Sequence, residues 1–423
     1  MSDTSEGSTP TTPRDDTLAT ELIHHPYKPP ADFESPAVPV FKGSTVYFPT
    51  VAALRERTWA DKSGYTYGLH GTPTSFTLEA RLASLEGAKH VILAPSGLSA
   101  LTIVDMALLQ QGDAMLLPDN VYNPSKDFAR NELARWGISQ RLYDPMQPAS
   151  LAAQLDREVK LVWLEAAGSV TLEFPDLRAL VRTVREKAPQ AVIALDNTWG
   201  AGIAFNAFDL GEGLGVDLTI HALTKYPSGG GDVLMGSIAC RDDALNDKLT
   251  WTHSRLGIGV GMNDVELVLR ALPNLPLRYA AQDASARRIA EWAQAQPQVA
   301  RVLHPALPGS PGHAHWASHC KAAAGLLTLE INAQYTPAQV DAFVDGLRYF
   351  HIGWSWGGPV SLAVPYQAKG MRKLATPYQG TLVRLCIGLE ATDDLIADLA
   401  QGLARLAKTA APAADPALTP AAG

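Results

Sequence analysis

The chain has 423 residues, 46% hydrophobic and 18% charged, with a net charge of -8, enough for two or three domains around a substantial core. That acidic balance leaves no electrostatic footprint for nucleic acid or an anionic membrane, and no run of about 18 apolar residues is present to span a bilayer. Three cysteines, Cys240, Cys320 and Cys386, are far apart and outside metal-ligand spacing, so reduced thiols in a cytoplasmic protein without a metal site are expected.

In chain order, Ser2 to Asp16 is rich in Ser, Thr and Pro, too polar for a signal peptide, and reads as disordered. The amphipathic stretch Ser75 to Leu85 predicts a helix, and His90 to Ala94 a strand that runs into the small-residue turn Pro95-Ser96-Gly97 and a further helix. Strands follow at Asp113 to Leu117, Val159 to Leu164, Ala191 to Leu195, Val216 to His221 and Asp232 to Ala239, with helices at Pro124 to Trp136 and Asp176 to Lys187 between them. This is βαβ order, which packs as a mostly parallel sheet covered by helices.

After a helical stretch, Asp264 to Arg288, the pattern becomes α+β: helices at Ile289 to Ala295 and Pro337 to Leu347, extended segments at Gly325 to Ile331 and Gly380 to Ile387, and a last amphipathic helix at Asp393 to Leu406. A domain boundary is placed near Pro273 to Pro276, where two prolines interrupt the helical pattern. Ala410 to Gly423 is an Ala/Pro tail too poor in bulky residues to pack, and there is no internal repeat.

Two residues at strand ends carry the chemical reading. Lys225 follows the strand Val216 to His221 and precedes Tyr226-Pro227-Ser228-Gly229-Gly230-Gly231, small residues that let a ligand approach the backbone. Asp196 ends another apolar strand, where a carboxylate is costly without a cationic partner. Open α/β sheets bind ligands at the carboxyl ends of their strands, where both residues fall. A lysine amine can form an imine with the aldehyde of pyridoxal phosphate (PLP), and a carboxylate facing the pyridine nitrogen keeps that ring cationic. Taken singly, the plainer readings are a solvated surface lysine and a turn-forming aspartate; the pairing is what points to PLP.

Three further features fit such a site. The turn Ser96-Gly97-Leu98-Ser99 opens a helix, so the amides of Gly97 and Leu98 and the helix dipole suit a phosphate. Tyr122, just before Asn123-Pro124, can stack on a flat ring, or pack ahead of the helix that Pro124 starts. Arg384 interrupts an apolar strand, where its guanidinium needs a carboxylate, from a substrate or from the protein.

Together these motifs resemble the Cys/Met-metabolism PLP enzymes, and most closely the bacterial cystathionine β-lyase branch, over roughly Tyr65 to Leu406. The resemblance implies an α/β fold: a large domain of the PLP-dependent transferase type I, aspartate aminotransferase-like class, with a mostly parallel sheet, and a smaller α+β C-terminal domain. The implied division is residues 1–70 as a disordered start and an arm toward a neighbouring subunit, 71–273 as the PLP domain, 274–409 as the small domain and 410–423 as the tail. It makes Lys225 the Schiff-base residue, Thr224 a phosphate ligand, Asp196 the partner of the ring nitrogen and Tyr122 the stacking ring. Gly97 and Leu98 become the phosphate turn, and Arg384 the substrate-carboxylate arginine.

Local sequence leans toward β-cleavage of an amino-acid thioether. Tyr122-Asn123-Pro124-Ser125 replaces the Tyr-Gly-Gly or Tyr-Gly-Cys of the γ-acting relatives. Glu165-Ala166-Ala167-Gly168-Ser169 resembles the β-lyase form apart from its two alanines, and Ser355-Trp356 puts an indole where those relatives carry an aliphatic residue, narrowing the pocket. The implied activity is cleavage of L-cystathionine to L-homocysteine, pyruvate and ammonia in methionine biosynthesis, by a homotetramer built as a dimer of dimers. A γ-lyase, a γ-synthase or a broader cysteine-S-conjugate lyase is the alternative.

One position departs from the pattern. The family's Tyr-Gly-Arg, which reaches the phosphate of the neighbouring subunit, is Tyr67-Gly68-Leu69 here. Tyr67 is carried over, as a candidate with Tyr122 for deprotonating the substrate amine. The lost charge is expected to be offset by the helix N-terminus, Thr224, Ser99 and His70.

Overall fold

The computed structural model describes residues 17–24, 35, 37–60, 62–374 and 376–409, so both terminal segments read as disordered lie outside the described residues. Seven strands form the larger sheet: β1 (His90–Ala94), β2 (Ala114–Pro118), β3 (Ser139–Tyr143), β4 (Val159–Glu165), β5 (Val192–Asp196), β6 (Leu218–His221) and β7 (Gly236–Cys240). Their order is β1-β7-β6-β5-β4-β2-β3, parallel from β6 to β3, with β7 antiparallel to both its neighbours.

Successive residues of each strand serve opposite faces. Val162, Leu164, Ile193 and Leu195 join a core under helices Pro73–Glu86 and Leu177–Lys187, whereas Leu161, Trp163, Ala194 and Ile220 join a second core under helices Gly97–Leu108 and Asp243–Leu256. Both faces are therefore dry, which is why these strands read as near-continuous apolar runs. The carboxyl ends of β4, β5 and β6 lie side by side, placing Glu165 directly opposite Asp196, and Asp196 opposite Ile220.

A second sheet comprises β8 (Val299–Leu303), β9 (Leu326–Ile331), β10 (His351–Ile352), β11 (Leu362–Gln367) and β12 (Thr381–Cys386) in the order β10-β11-β12-β9-β8, antiparallel except for the β10–β11 pair. Its core is closed by helices Pro337–Asp345 and Thr392–Thr409. The fold is α/β, a mixed and mostly parallel sheet wrapped in helices with an α+β unit beside it.

Several local expectations are corrected. The expected strand from Asp232 begins only at Gly236, and the expected helix to Trp136 ends at Asn131 before a 3-10 turn, Leu133–Trp136. The helical pattern is interrupted at Pro273 as expected, helix Met262–Ala271 ending at a 3-10 turn, Leu272–Asn274, whereas Pro276 stops nothing. Pro276 lies in the first turn of helix Leu275–Gln294, where a missing amide hydrogen costs nothing. That helix is continuous, with Leu275 and Tyr279 in the core of the larger sheet and Ala286, Ile289 and Ala290 in the core of the smaller. No helix of the described residues is long and apolar enough to cross a membrane.

Candidate active site

The structure gathers Lys225, Asp196, Ser355, Trp356 and Arg384 into one crevice between the sheets. Lys225 sits in the turn after β6, its backbone tied to Ala222 and Gly229. Its Nζ donates to Ser355 Oγ at 3.2 Å and lies 5.5 Å from the centre of the Trp356 indole. Burial, reinforced by the Arg384 charge, lowers the Lys225 ammonium to about 8, so a useful fraction is the free amine near neutral pH. Trp356 is braced edge-on against Tyr226 at 5.5 Å, and Gly357 next to it donates its N–H to Cys386 Sγ. The loop is thus fastened to the element that carries the lysine.

Asp196 Oδ1 accepts from Thr198 N at 3.0 Å and Thr198 Oγ1 at 2.5 Å, and that hydroxyl in turn accepts from Ala222 N at 3.0 Å. Two residues of β5's exit therefore bind the turn that leads to Lys225. Behind them, buried Glu86 accepts from Asn197 Nδ2 at 2.8 Å, is 3.0 Å from His221 Nδ1, and pins a helix to the strand ends. Burial raises the Asp196 carboxyl above its ordinary range, opposed by the Thr198 hydrogen bonds and the charges of His221 and Lys225. A cation arriving at Asp196 would therefore be welcome.

Glu165, not singled out from sequence as a site residue, accepts from Tyr122 N at 2.8 Å and fixes the loop bearing that ring. Burial and the facing Asp196 push its carboxyl well above the usual range. An acid closing an apolar strand beside β5 was the available sequence signal. Tyr122 itself is 43% exposed toward the crevice, its phenol pushed up by burial and by Asp196 and Glu165.

The turn at Gly97 approaches this centre closely. A Cβ on Gly97 would lie 2.6 Å from Ala222 Cβ, and one on Gly236 would lie 2.3 Å from Ser96 O, so both glycines are required by contact. Ser96 caps the helix by accepting from Ser99 N at 3.0 Å. The amides of Gly97 and Leu98, in the first turn, have no helical partner and are free for an anion. Thr224 is beside them, but its hydroxyl already donates to Met235 O at 3.2 Å and accepts from Met235 N at 3.1 Å. Donation to a phosphate requires it to turn from Met235 O.

Arg384 lies on β12, 8% exposed, and its Nη2 has no hydrogen-bond partner among the described residues. A buried guanidinium with a free donor is what a carboxylate ligand needs. These features fit PLP: an amine, a carboxylate for the ring nitrogen, a glycine turn for the phosphate, and a donor set left over for a substrate.

The structure does not bring Tyr67 to this cluster. It is 48% exposed, bridged to Thr45 and edge-on to His70. His70 is occupied within its own chain, 2.9 Å from Thr66 Oγ1, 3.4 Å from Ser254 Oγ and stacked on Trp59 at 4.2 Å, while Leu69 packs toward Gly259. Burial lowers the His70 pKa, which further disfavours it as a phosphate cation.

The family profile described as Cys/Met metabolism PLP-dependent enzyme matches residues 19–404. Cystathionine beta-lyase of Salmonella typhimurium is 36% identical over 375 residues, covering 86% of this chain and 92% of that one. An L-alanine/L-glutamate racemase of Wolbachia pipientis is 32% identical over 381 residues, covering 87% of this chain and 92% of its own length. The solved cystathionine gamma synthase of Xanthomonas oryzae pv. oryzae, in complex with aminoacrylate and cysteine, superposes with a TM-score of 0.83 at 30% identity, over 94% of this chain and 100% of that one. The motif set, the crevice and these likenesses agree: the chain belongs to the Cys/Met-metabolism family of PLP-dependent enzymes.

Proposed function

We propose that the protein is a carbon–sulfur β-lyase that cleaves L-cystathionine to L-homocysteine, pyruvate and ammonia. The observation that carries this reading is the Ser355-Trp356 pair beside Lys225, with a serine oxygen 3.2 Å from the amine and an indole walling the same space. The indole shortens the room beyond Cβ, which favours a reaction at that carbon over one a methylene farther out.

Lys225 would hold the cofactor, with Asp196 for the ring nitrogen, Tyr122 for the ring face, and the Gly97-Leu98 amides, Thr224 and Tyr67 of a neighbouring copy for the phosphate. When bound, PLP supplies an electron sink for the pair left at the substrate Cα. Arg384 and Ser355 orient the α-carboxylate, and Trp356 bounds the side chain. Lys225 Nζ, once the substrate amine has taken its place and left it a free amine, would then remove the Cα proton, which its lowered pKa suits. The C–S bond at Cβ breaks, sulfur leaves as homocysteine, and the three remaining carbons take up water to release pyruvate and ammonia. Tyr122 and Tyr67 of a neighbouring copy are the candidates for the amine proton, and burial with the Asp196 and Glu165 charges favours the protonated form of the Tyr122 phenol.

The half-exposed Tyr67 is free to reach a neighbouring copy, and the proposed assembly is a homotetramer of two dimers. The distinct core of the smaller sheet supports the proposed division into PLP and small domains, although Leu275, Tyr279, Leu326 and Cys386 pack into the core of the larger sheet. A cytoplasmic place in methionine biosynthesis completes the reading. The deciding experiment incubates holoenzyme with L-cystathionine and identifies the keto acid. Pyruvate supports β-cleavage; 2-oxobutyrate would assign a γ-lyase, and a racemised amino acid without keto acid would remove lyase chemistry altogether.

A further inference from the structure

Two inward-facing arginines of this protein are answered by oxygen. Arg372 donates to Asp119 at 3.3 Å and to Glu173 at 2.8 Å, and Arg278 to the carbonyls of Tyr226 and Ala271 and to Asn274 Oδ1. Like buried Arg81, whose Nε also lacks a partner, Arg384 is not so answered among the described residues. Its side chain makes no hydrogen bond or ion pair there, and what stands against it is an aromatic face: its guanidinium carbon lies 5.5 Å from the centre of the Tyr366 ring.

The strand register explains the contact. On β11, Val364 is directly opposite Arg384 and Tyr366 is opposite Leu382. Residues two apart share a face, so Tyr366 and Arg384 emerge on the same side as diagonal neighbours, within reach for long side chains. Tyr366 also lies close enough to Tyr122 for its charge to act on that phenol, which puts it at the crevice rather than on the outer surface.

A protein carboxylate would hold Arg384 equally well, but it would occupy the donors and neutralise the charge that a substrate must meet. A ring face attracts the cation through its quadrupole and leaves the N–H donors free. We propose that Tyr366 is the positioning residue of the substrate-carboxylate site: its ring face holds the Arg384 guanidinium in place while keeping its donors open. This rests on the reading of Arg384 as the carboxylate ligand.

The test uses holoenzyme, with L-cystathionine as substrate and glycine and glycinamide as competing probes. Glycine offers the carboxylate and glycinamide does not. In Tyr366→Leu, KM for L-cystathionine is expected to rise about three- to thirty-fold with kcat changed less than about two-fold. Inhibition by glycine weakens by the same factor and inhibition by glycinamide stays constant. Tyr366→Phe keeps the ring and is expected to restore both values. If Tyr366→Leu does not fold, Tyr366→Met makes the same comparison.

Equal weakening of both probes, an unchanged leucine variant, or a phenylalanine variant as poor as leucine would each overturn the proposal. Arg384→Ala separates the two levels. If it leaves the glycine-to-glycinamide ratio unaltered, the carboxylate reading itself fails; if it abolishes the ratio while Tyr366→Leu preserves it, only the role of Tyr366 fails.

Discussion

The two ends of the crevice are built differently. At the large-sheet end, Asp196 is bound by the amide and hydroxyl of Thr198, and that hydroxyl is bound by Ala222. At the small-sheet end, Arg384 keeps a buried donor unanswered and rests beside a ring. The first arrangement suits a ligand that stays, because a rigid, satisfied carboxylate gives one orientation to a permanent cation. The second suits a ligand that comes and goes, since an unanswered donor is costly until a carboxylate arrives.

Removing the central amine should break this contrast most severely. Lys225→Ala is expected to lose the visible cofactor absorbance and to lower pyruvate release by at least about 10³-fold, since on the proposed reading the variant lacks both the attachment point and the Cα base. The same amine predicts a pH dependence in the wild type. With a lysine at about 8, the rate at which apoprotein captures PLP should rise roughly tenfold per pH unit below that value and level off above it. Stopped-flow absorbance measures it; a rate independent of pH between 6 and 9 would contradict a protonated lysine in the apoprotein.

Arg384→Ala acts at the other end and should show a different signature. KM for L-cystathionine is expected to rise on the order of 10²-fold while the cofactor absorbance is unchanged, because on the proposed reading the lost partner is the substrate's and not the cofactor's. Arg384→Lys keeps the charge without the planar fork and should fall between the two. Loss of cofactor in Arg384→Ala would erase the distinction drawn here.

A buried acid away from the crevice sharpens the comparison by showing burial without a ligand. Asp105 is fully buried in helix Gly97–Leu108, with Oδ1 accepting from Trp163 Nε1 at 2.9 Å and Oδ2 unpartnered. Burial raises its carboxyl to about 8, so the folded chain binds a proton that the unfolded chain releases above about 4. Stability from this group is full below that lower value and is lost as pH rises toward 8, by up to about 1.4 kcal/mol per unit. Asp105→Asn should remove that slope and make the protein the more stable of the two at pH 8, read from denaturant midpoints at pH 5 and pH 8.

How much of this was legible in sequence depended on where each group sits along its own element. Asp196 and Lys225 end apolar runs, and Gly97 follows one, so each marks the exit of a strand buried on both faces. Strands β3 and β11 carry no such mark. β3 reads Ser-Gln-Arg-Leu-Tyr because its outer residues meet solvent, and β11 carries Pro365 within it; neither pattern stands out from a loop. The reversed direction of β7 is also invisible, because alternation along a strand is the same read either way. Tyr366 and Glu165 belong to the site only through register across neighbouring strands, which no spacing in a single chain encodes.

The smallest expected effect is at Glu165, and it tests why two acids share one strand end. Glu165 faces Asp196 directly across β4 and β5, and burial pushes both carboxyls up. One ring nitrogen can answer only one of them. On the proposed reading Asp196 takes that cation; Glu165, its oxygen turned to the Tyr122 amide, is left as an acid biased toward its neutral form whose use is to hold the tyrosine loop. A glutamine reproduces that state, so Glu165→Gln should lower kcat by no more than about threefold. Glu165→Ala instead leaves the Tyr122 amide unanswered, at about 1–3 kcal/mol, and should lower kcat/KM on the order of tenfold by freeing the ring. Steady-state kinetics with L-cystathionine compares the two. A glutamine variant as poor as alanine would mean that Glu165 acts as an anion, and that the crevice holds two charges where one cation is supplied.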